Sequence, residues 1–325
     1  MTKHKVIIIG SGPSGYAAAI YLARAKLKPL LFAGNTSGGQ LMFTREVENF
    51  PGFDQGIDGP RLMMQMRAQA EKFGTQIIDG IVDKVDFSKT PFEVWRGEEV
   101  FLGQTILIST GAEAIRLNLP NENQFFGRGI SACAVCDAAF YKDKIVYVVG
   151  GGDAACEDAL ALTRFAKEVF LVVRRDQLKA SKVMQERVHQ NPKITILWNS
   201  EVVELGGEGR LSKLTLKNNE NQDKQVVEAD GLFYAIGHMP KTDLFSKYIQ
   251  IDEKGYIKTS LTGLSPANSI EHIWLDGYPT MTSKKGVFAA GDVVDFRYRQ
   301  ATTAVGMGVM AALDIERFLE NQETK

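Results

Sequence analysis

The sequence is short of cysteine and histidine, has no long apolar run, and is almost neutral. It holds 3 cysteines and 4 histidines in 325 residues, with a formal net charge of -1. Three cysteines do not make a disulfide framework, so a reducing, cytoplasmic home is expected. Balanced charge gives no electrostatic reason for a nucleic acid or an acidic membrane surface as partner. The first apolar run, Val6 to Ile9, stops at Gly10 and is too short for a signal-peptide core. No stretch approaches the roughly 18 apolar residues of a spanning helix, so no membrane partner is expected. His4, His189, His238 and His272 are scattered singly, and no metal site is expected. The remaining composition, 44% hydrophobic and 24% charged, is that of a globular chain long enough for two domains.

Two of the cysteines stand together in SACAVCDAA (131 to 139). A C-x-x-C can anchor haem, hold half of a zinc site, or form a redox dithiol. Haem attachment needs His after the second cysteine, and Asp137 follows Cys136. Zinc would have to recruit two distant ligands. A redox pair and a chance pair of small buried side chains remain, and the neighbouring motifs must decide.

The chain opens with VIIIGSGPSG, an apolar run followed by Gly10-Ser11-Gly12-Pro13-Ser14-Gly15 and an Ala-rich stretch to about Leu27. Leu30 to Phe32 reads as the next strand. This is the strand, GxGxxG, helix, strand order of a dinucleotide site, where backbone N–H groups approach a pyrophosphate. The acid that usually ends the second strand is missing, because the chain reads Ala33-Gly34-Asn35. The pattern recurs from 145 to 176. A strand over Ile145 to Val149 leads to Gly150-Gly151-Gly152-Asp153-Ala154-Ala155, a helix to about Phe165, and a strand over Val169 to Val173. Gly151, Gly152, Asp153 and Ala154 are its candidate nucleotide contacts. That second strand ends in Arg174-Arg175, with Lys179 close behind. Arginines where an acid would stand suit the 2′-phosphate of NADPH and discriminate against NADH. Two loops, only one with phosphate-reading arginines, suggest two nucleotides, with FAD expected in the first.

A flavin domain of this type is commonly split by the nicotinamide domain. GVFAAGDVVD (286 to 295) supplies a late strand ending near Asp292, and a helix follows to the C-terminus. Gly and Pro punctuation places the joins near residues 117 and 242. The expected fold is α/β, with two Rossmann-like domains of three-layer ββα build. Residues 1–117 and 243–325 form the FAD-binding domain, and 118–242 form an inserted NADPH-binding domain that carries the cysteine pair.

The motifs that carry a resemblance are GSGPSG (10 to 15), GGQL (38 to 41), ENFPGF (48 to 53), STGA (109 to 112), CAVCD (133 to 137), GGGDAA (150 to 155), VVRRDQLKAS (172 to 181), YAIGHMPKT (234 to 242) and GVFAAGDVVDFRYRQA (286 to 301). In this order the chain resembles the low-molecular-weight thioredoxin reductases over nearly its whole length. The resemblance implies FAD as prosthetic group, NADPH as reductant, thioredoxin as protein substrate and a homodimer. It implies flavin contacts at Ser11, Gly12, Pro13, Ser14, Gln40, Asn49, Val82, Asp292, Arg299, Gln300 and Ala301, with Val82 on a strand passing the adenine. Arg174, Arg175 and Lys179 match the NADPH clamp, although many relatives have His at Val173 and Arg at Lys179. Cys136 matches the sulfur on the flavin side, Cys133 the one that attacks the partner, and Asp137 an acid that protonates a leaving group. Helix N-capping is the plainer reading of Asp137. Dithiol and nicotinamide share one domain, yet both must meet one flavin, so hinge rotation is expected.

Same-scaffold enzymes are the nearest alternatives. Ferredoxin reductases lack the cysteine pair, peroxiredoxin reductases carry an additional N-terminal domain, and dithiol oxidases do not need the NADPH clamp. A non-catalytic flavin and NADPH redox sensor is the alternative outside enzymes. Among the remaining residues, Cys156 reads as a small core residue. Met63, Met64 and Met66 read as a core face of a helix, and His238 as part of the interdomain join. Met42-Phe43-Thr44-Arg45 departs from the family's threonines after GGQL. The segment 260 to 286, with Trp274, is longer than its family counterpart and reads as a surface excursion.

Overall fold

The computed structural model describes all residues except Met1, Arg45, 263–276 and 324–325. Arg45 and Trp274 therefore lie outside the described residues, as does most of the 260 to 286 excursion. The chain forms two compact units, Met1–Glu113 with Met239–Lys325, and Ala114–His238. They divide at 113/114 and 238/239, earlier than the joins read from punctuation.

In the first unit, β1 (Thr2–Ile9), α1 (Pro13–Arg24), β2 (Leu30–Phe32), α2 (Gly59–Lys72), β3 (Gln76–Ile78), β4 (Lys84–Asp86), β5 (Phe92–Arg96) and β6 (Glu99–Ile108) come in order. β1 lies between β2 and β6, parallel to both. Val6 to Ile9 are buried, so an unbroken apolar run rather than an alternation encodes this strand. α1 ends at Arg24, short of the expected Leu27. Lys26 and Lys28 adopt left-handed backbone ahead of Pro29, which disfavours helix in the residue before it. α2 starts at Asp58, whose carboxylate caps the Arg61 N–H at 3.0 Å. Its core face holds Met63 and Met66, but Met64 is 61% exposed, against expectation. The helix turns it outward, one position past Met63.

The chain crosses on β7 (Ala112–Ala114), and the second unit follows with α3 (Glu122–Phe125), β8 (Ile130–Ser131), α4 (Ala134–Asp137), β9 (Ile145–Val149), α5 (Asp153–Leu162), β10 (Glu168–Val172), α6 (Lys182–Gln190), β11 (Ile194–Leu197), β12 (Ser200–Gly206), β13 (Lys213–Asn218), β14 (Lys224–Glu228) and β15 (Gly231–Tyr234), before the chain crosses back on β16 (His238–Pro240). A parallel sheet ordered β11-β10-β9-β15-β8 forms its middle layer. Cys156, Ala159, Leu162 and Val188 from α5 and α6 pack on one face. Val202, Leu214 and Leu216 from the antiparallel β12-β13-β14 sheet pack on the other. β15 thus belongs to this sheet, and the chain leaves the unit only after it. The two crossings, β7 and β16, pair with each other.

The chain then returns to the first unit with β17 (Val287–Ala289) and α7 (Ala301–Glu323). β17 pairs with the C-terminal part of β6, whose N-terminal part pairs with β5. α1, α2 and α7 share one core cluster, while Phe87, Phe92, Phe245 and Ile257 fill the other side of the sheet. Both units are therefore three-layer ββα. Among the described residues no helix is long and apolar enough to cross a membrane, and no His, Cys, Asp and Glu cluster could hold a metal.

Candidate active site

In the first unit the β1–α1 loop is forced by its glycines. Gly10 has φ +113°, and a Cβ there would stand 2.2 Å from the Ser109 carbonyl oxygen. A Cβ on Gly15 would stand 2.1 Å from the Gly10 oxygen. A Cβ on Gly12 would meet nothing within 4 Å. Gly12 heads α1, and no side chain caps that end. The serines are spent on bracing. Ser11 Oγ donates to the Ala33 carbonyl at 2.7 Å and accepts from the Gly38 N–H at 2.9 Å. Ser14 Oγ donates to the Ala290 carbonyl at 3.0 Å. An anion at this loop would therefore meet backbone N–H groups.

The same bonds gather the other first-unit candidates. A Cβ on Gly39, the residue before Gln40, would lie 3.4 Å from Gly12 Cα. Gly291, with φ +82°, abuts Ser14, which puts Asp292 at the α1 N-terminus. Asn49 Nδ2 donates to Gln300 Oε1 at 3.2 Å across 251 residues of sequence. Asp295 accepts the N–H groups of Arg297, Tyr298 and Arg299, each at 2.9 Å, and so shapes the loop into Ala301 and α7. Burial pushes the Asp292 carboxyl up to about 7, with Asp295 adding to the effect and Arg299 opposing it. Val82 is buried, but it precedes β4 instead of lying in it.

In the second unit Cys133 and Cys136 form a disulfide, with Cα atoms 5.3 Å apart. The Cys136 N–H donates to Cys133 Sγ at 3.2 Å, and the Cys133 N–H donates to Ser131 Oγ at 3.1 Å. Val135, between them, is 71% exposed, so the pair lies at the surface of its unit. Asp137 closes α4 instead of capping its start, where Cys133 stands. Burial raises its carboxyl above the ordinary range, against a Ser131 hydrogen bond that lowers it. A carboxyl raised in this way keeps its proton to higher pH than an ordinary one and can give it up locally.

The second glycine loop repeats the first. Gly150 has φ +149°, and a Cβ there would stand 2.5 Å from the Ala235 oxygen, while one on Gly152 would meet nothing. The Gly151 carbonyl accepts from Lys179 N–H at 2.6 Å and Ala180 N–H at 3.2 Å. Asp153 Oδ1 accepts from the Ser181 N–H at 2.8 Å, which lowers its pKa. These bonds hold Lys179, Ala180 and Ser181 against Gly151 and Asp153 of the loop. Arg174, Arg175 and Lys179 are exposed.

The model of the pyridine nucleotide-disulphide oxidoreductase family matches residues 4–308. The curated thioredoxin reductase of Debaryomyces hansenii is 48% identical over 337 residues, covering 100% of both chains. That of Chlamydia trachomatis is 48% identical over 328 residues, covering 99% of this chain and 100% of the relative. A solved thioredoxin reductase from Streptococcus pyogenes superposes with a TM-score of 0.88 at 37% identity, covering 98% of this chain and 99% of the other.

The chain belongs to the thioredoxin reductases. As in that family, its cofactors are FAD and NADPH, and its activity is NADPH-dependent reduction of a thioredoxin disulfide through FAD and a cysteine pair. The residues present fit both nucleotides. Each loop leaves open space at the glycine that heads its helix, and each helix start lacks a side-chain cap. Among the described residues, the three cations beside the second loop form no ion pair that a 2′-phosphate would have to break.

Several groups in this reductase escaped the sequence reading. Arg67 holds Asp79 in a two-pronged pair at 2.6 and 3.0 Å, and also bonds Ser37 and Glu71. It fixes the turn that leads to Gly38-Gly39-Gln40. Only its i, i+4 spacing from Glu71 was visible in the sequence. Glu122, buried, accepts from Tyr234 Oη at 2.5 Å and Leu117 N–H at 3.2 Å. No sequence pattern announces that pair.

Proposed function

We propose that the first unit binds FAD and the second binds NADPH, with Cys133, Cys136 and Asp137 as the catalytic groups. The observation that carries this reading is the Cys133–Cys136 disulfide beside a raised carboxyl, in the same unit as an arginine-flanked glycine loop. FAD, when bound, supplies the two-electron relay between NADPH and this disulfide. Once reduced, Cys133 attacks one sulfur of the thioredoxin disulfide as the thiolate. The Cys136 N–H aimed at its sulfur favours that charged form. The partner's other sulfur leaves as a thiolate and takes a proton, for which Asp137 is the donor. Cys136 then attacks Cys133 in the mixed disulfide, releases the second partner sulfur, and restores the Cys133–Cys136 bond. Two electrons leave the pair for each partner disulfide reduced.

Two-nucleotide binding assigns the other residues. Backbone at Gly12 and Ser14 would hold the FAD pyrophosphate. Asp292 would accept from ribityl hydroxyls. Gln40, Asn49, Val82, Arg299, Gln300 and Ala301 would line the flavin. Arg174, Arg175 and Lys179 would take the 2′-phosphate of NADPH. The protein acts as a homodimer, for which the exposed Tyr21, Met64, Met310 and Leu313 on α1, α2 and α7 offer apolar surface. It works in the cytoplasm, where the free, buried Cys156 stays reduced. The second unit turns about the crossings between half-reactions.

The test is NADPH oxidation by FAD-loaded protein with oxidised thioredoxin as acceptor. Rapid oxidation is expected, falling to background in Cys136→Ser while NADPH still bleaches the flavin. Unchanged thioredoxin reduction in that variant would overturn the cysteine route. Flavin reduction without any electron transfer to thioredoxin would move the substrate to another disulfide protein.

A further inference from the structure

Resting on the assignment of Arg174 and Arg175 to the 2′-phosphate, we infer that Asn199 and Asn219 are positioning residues that set the preference for NADPH over NADH. The arginines follow β10 with exposed side chains, but their backbone is fixed. Asn199, in the turn between β11 and β12, has φ +49° and donates its N–H to the Arg175 carbonyl at 3.1 Å. Asn219, at the tip of the β13–β14 hairpin, donates its side-chain amide to the Arg174 carbonyl at 3.2 Å. The Asn219 N–H donates to the Asn199 carbonyl at 2.6 Å. Consecutive carbonyls of the two arginines thus each receive a donor, and the donors are bonded to each other.

The brace is itself supported. Asn199 Nδ2 donates to Glu220 Oε1 at 2.8 Å, and Asn218 Oδ1 accepts the Glu220 and Asn221 N–H groups at 2.8 and 3.3 Å. At the far end of the segment, the Gly151 carbonyl anchors Lys179 and Ala180. The span from arginines to lysine is therefore held at both ends, to the hairpin and to the glycine loop.

Fixing the backbone matters because the arginine side chains are exposed. A guanidinium that must order on a phosphate loses rotamer freedom, and a mobile backbone would add to that loss. At position 219 the asparagine side chain also suits chemically, because its amide donates to the Arg174 carbonyl without itself adding a negative charge beside cations meant for a phosphate. Only NADPH carries the 2′-phosphate, so loosening the brace should weaken NADPH and leave NADH binding alone.

The experiment uses the FAD-loaded holoenzyme. Titration calorimetry with 2′,5′-ADP and 5′-AMP is read beside KM and kcat for NADPH and NADH. In Asn219→Ala the dissociation constant for 2′,5′-ADP and the KM for NADPH are expected to rise about threefold to tenfold, the range of one lost hydrogen bond. The 5′-AMP affinity and kcat at saturating NADPH should stay put. Equal weakening of both nucleotides would overturn the inference, because it would report a general loosening of the unit. So would 2′,5′-ADP affinity within twofold of the parent. Asn219→Asp keeps the shape, removes the donor and adds an acid. It is expected to weaken 2′,5′-ADP at least as much, and retained affinity would overturn the inference independently. The paired variant Arg174→Ala with Arg175→Ala separates the two levels. If it keeps the NADPH preference, the clamp assignment itself is wrong. If it abolishes the preference while both Asn219 variants bind 2′,5′-ADP normally, only the brace is wrong.

Discussion

Asp292→Asn should stabilise the FAD-free protein and weaken its hold on FAD, both in a pH-dependent way. Without FAD, burial and Asp295 push the Asp292 carboxyl from its ordinary 3.8 up to about 7. At about 1.4 kcal/mol per decade, that difference corresponds to about 4 kcal/mol. The figure is a ceiling, because the side chain keeps partial contact with solvent. The folded protein binds this proton more tightly than the unfolded chain. Its contribution to stability is therefore fully present below pH about 4, shrinks as pH rises, and is gone above about 7. The amide carries no such dependence. Variant and parent should unfold alike near pH 4, and the variant should lead by an amount that widens to pH about 7 and then levels. Urea midpoints of the apoprotein at pH 4.5, 6 and 8 measure this. FAD affinity should move the other way. An ionised carboxylate accepts ribityl hydroxyls more strongly than an amide oxygen, by about 1 to 2 kcal/mol, so the variant should bind FAD about fivefold to thirtyfold more weakly at pH 8. A stability gap that is the same at every pH would refute the reasoning. So would unchanged FAD affinity, since Asp292 would then face away from the ribityl chain.

Glycine positions on α7 should respond oppositely to alanine. A Cβ at Gly308 would stand 2.1 Å from the Ser14 oxygen, so Gly308→Ala should cost about 1 to 3 kcal/mol or more and loosen FAD. At Gly306 nothing lies within 4 Å, and Gly306→Ala should gain about 0.5 to 1 kcal/mol; thermal unfolding of both distinguishes these outcomes. Tyr234→Phe leaves buried Glu122 without its hydroxyl donor and should lower stability by about 1 to 3 kcal/mol in urea denaturation. Burial pushes the Cys156 thiol up to about 11, so the native oxidised protein should show no fast-reacting thiol at pH 8 in an aromatic disulfide assay. Cys156→Ala should leave thioredoxin reduction intact.

What the sequence made legible is what local periodicity and special backbone encode. The apolar run at Val6 to Ile9 reads as a strand because both faces are buried. Gly10 and Gly150 read as turns because they adopt positive φ against a neighbouring carbonyl. Remote contacts are less legible: Gly and Pro punctuate the chain near 117 and 242, but β7 and β16 pair with each other, and no local pattern encodes that pairing. Met64 shows the limit of reading methionines as core, since one helical step separates a buried residue from an exposed one. Asn49 and Gln300 meet across 251 residues, and only a family resemblance could link them.

The two glycine loops show how one motif separates into requirements of different strictness. In each, the first glycine abuts the carbonyl at the end of an adjacent strand, Ser109 after β6 and Ala235 after β15. In each, the glycine heading the helix faces open space, where an added Cβ would meet nothing of the protein. The third position differs. A Cβ on Gly15 would collide with the Gly10 carbonyl oxygen, whereas the second loop accommodates the methyl of Ala155. The first two glycines are thus set by backbone and ligand, and the third only by how closely helix and strand approach. That is why GxGxxG and GxGxxA can perform the same binding in one chain. What differs is the segment after the second strand of each loop: Arg174 and Arg175 stand exposed after β10 with their carbonyls held by Asn219 and Asn199, whereas Ala33 and Gly34 follow β2.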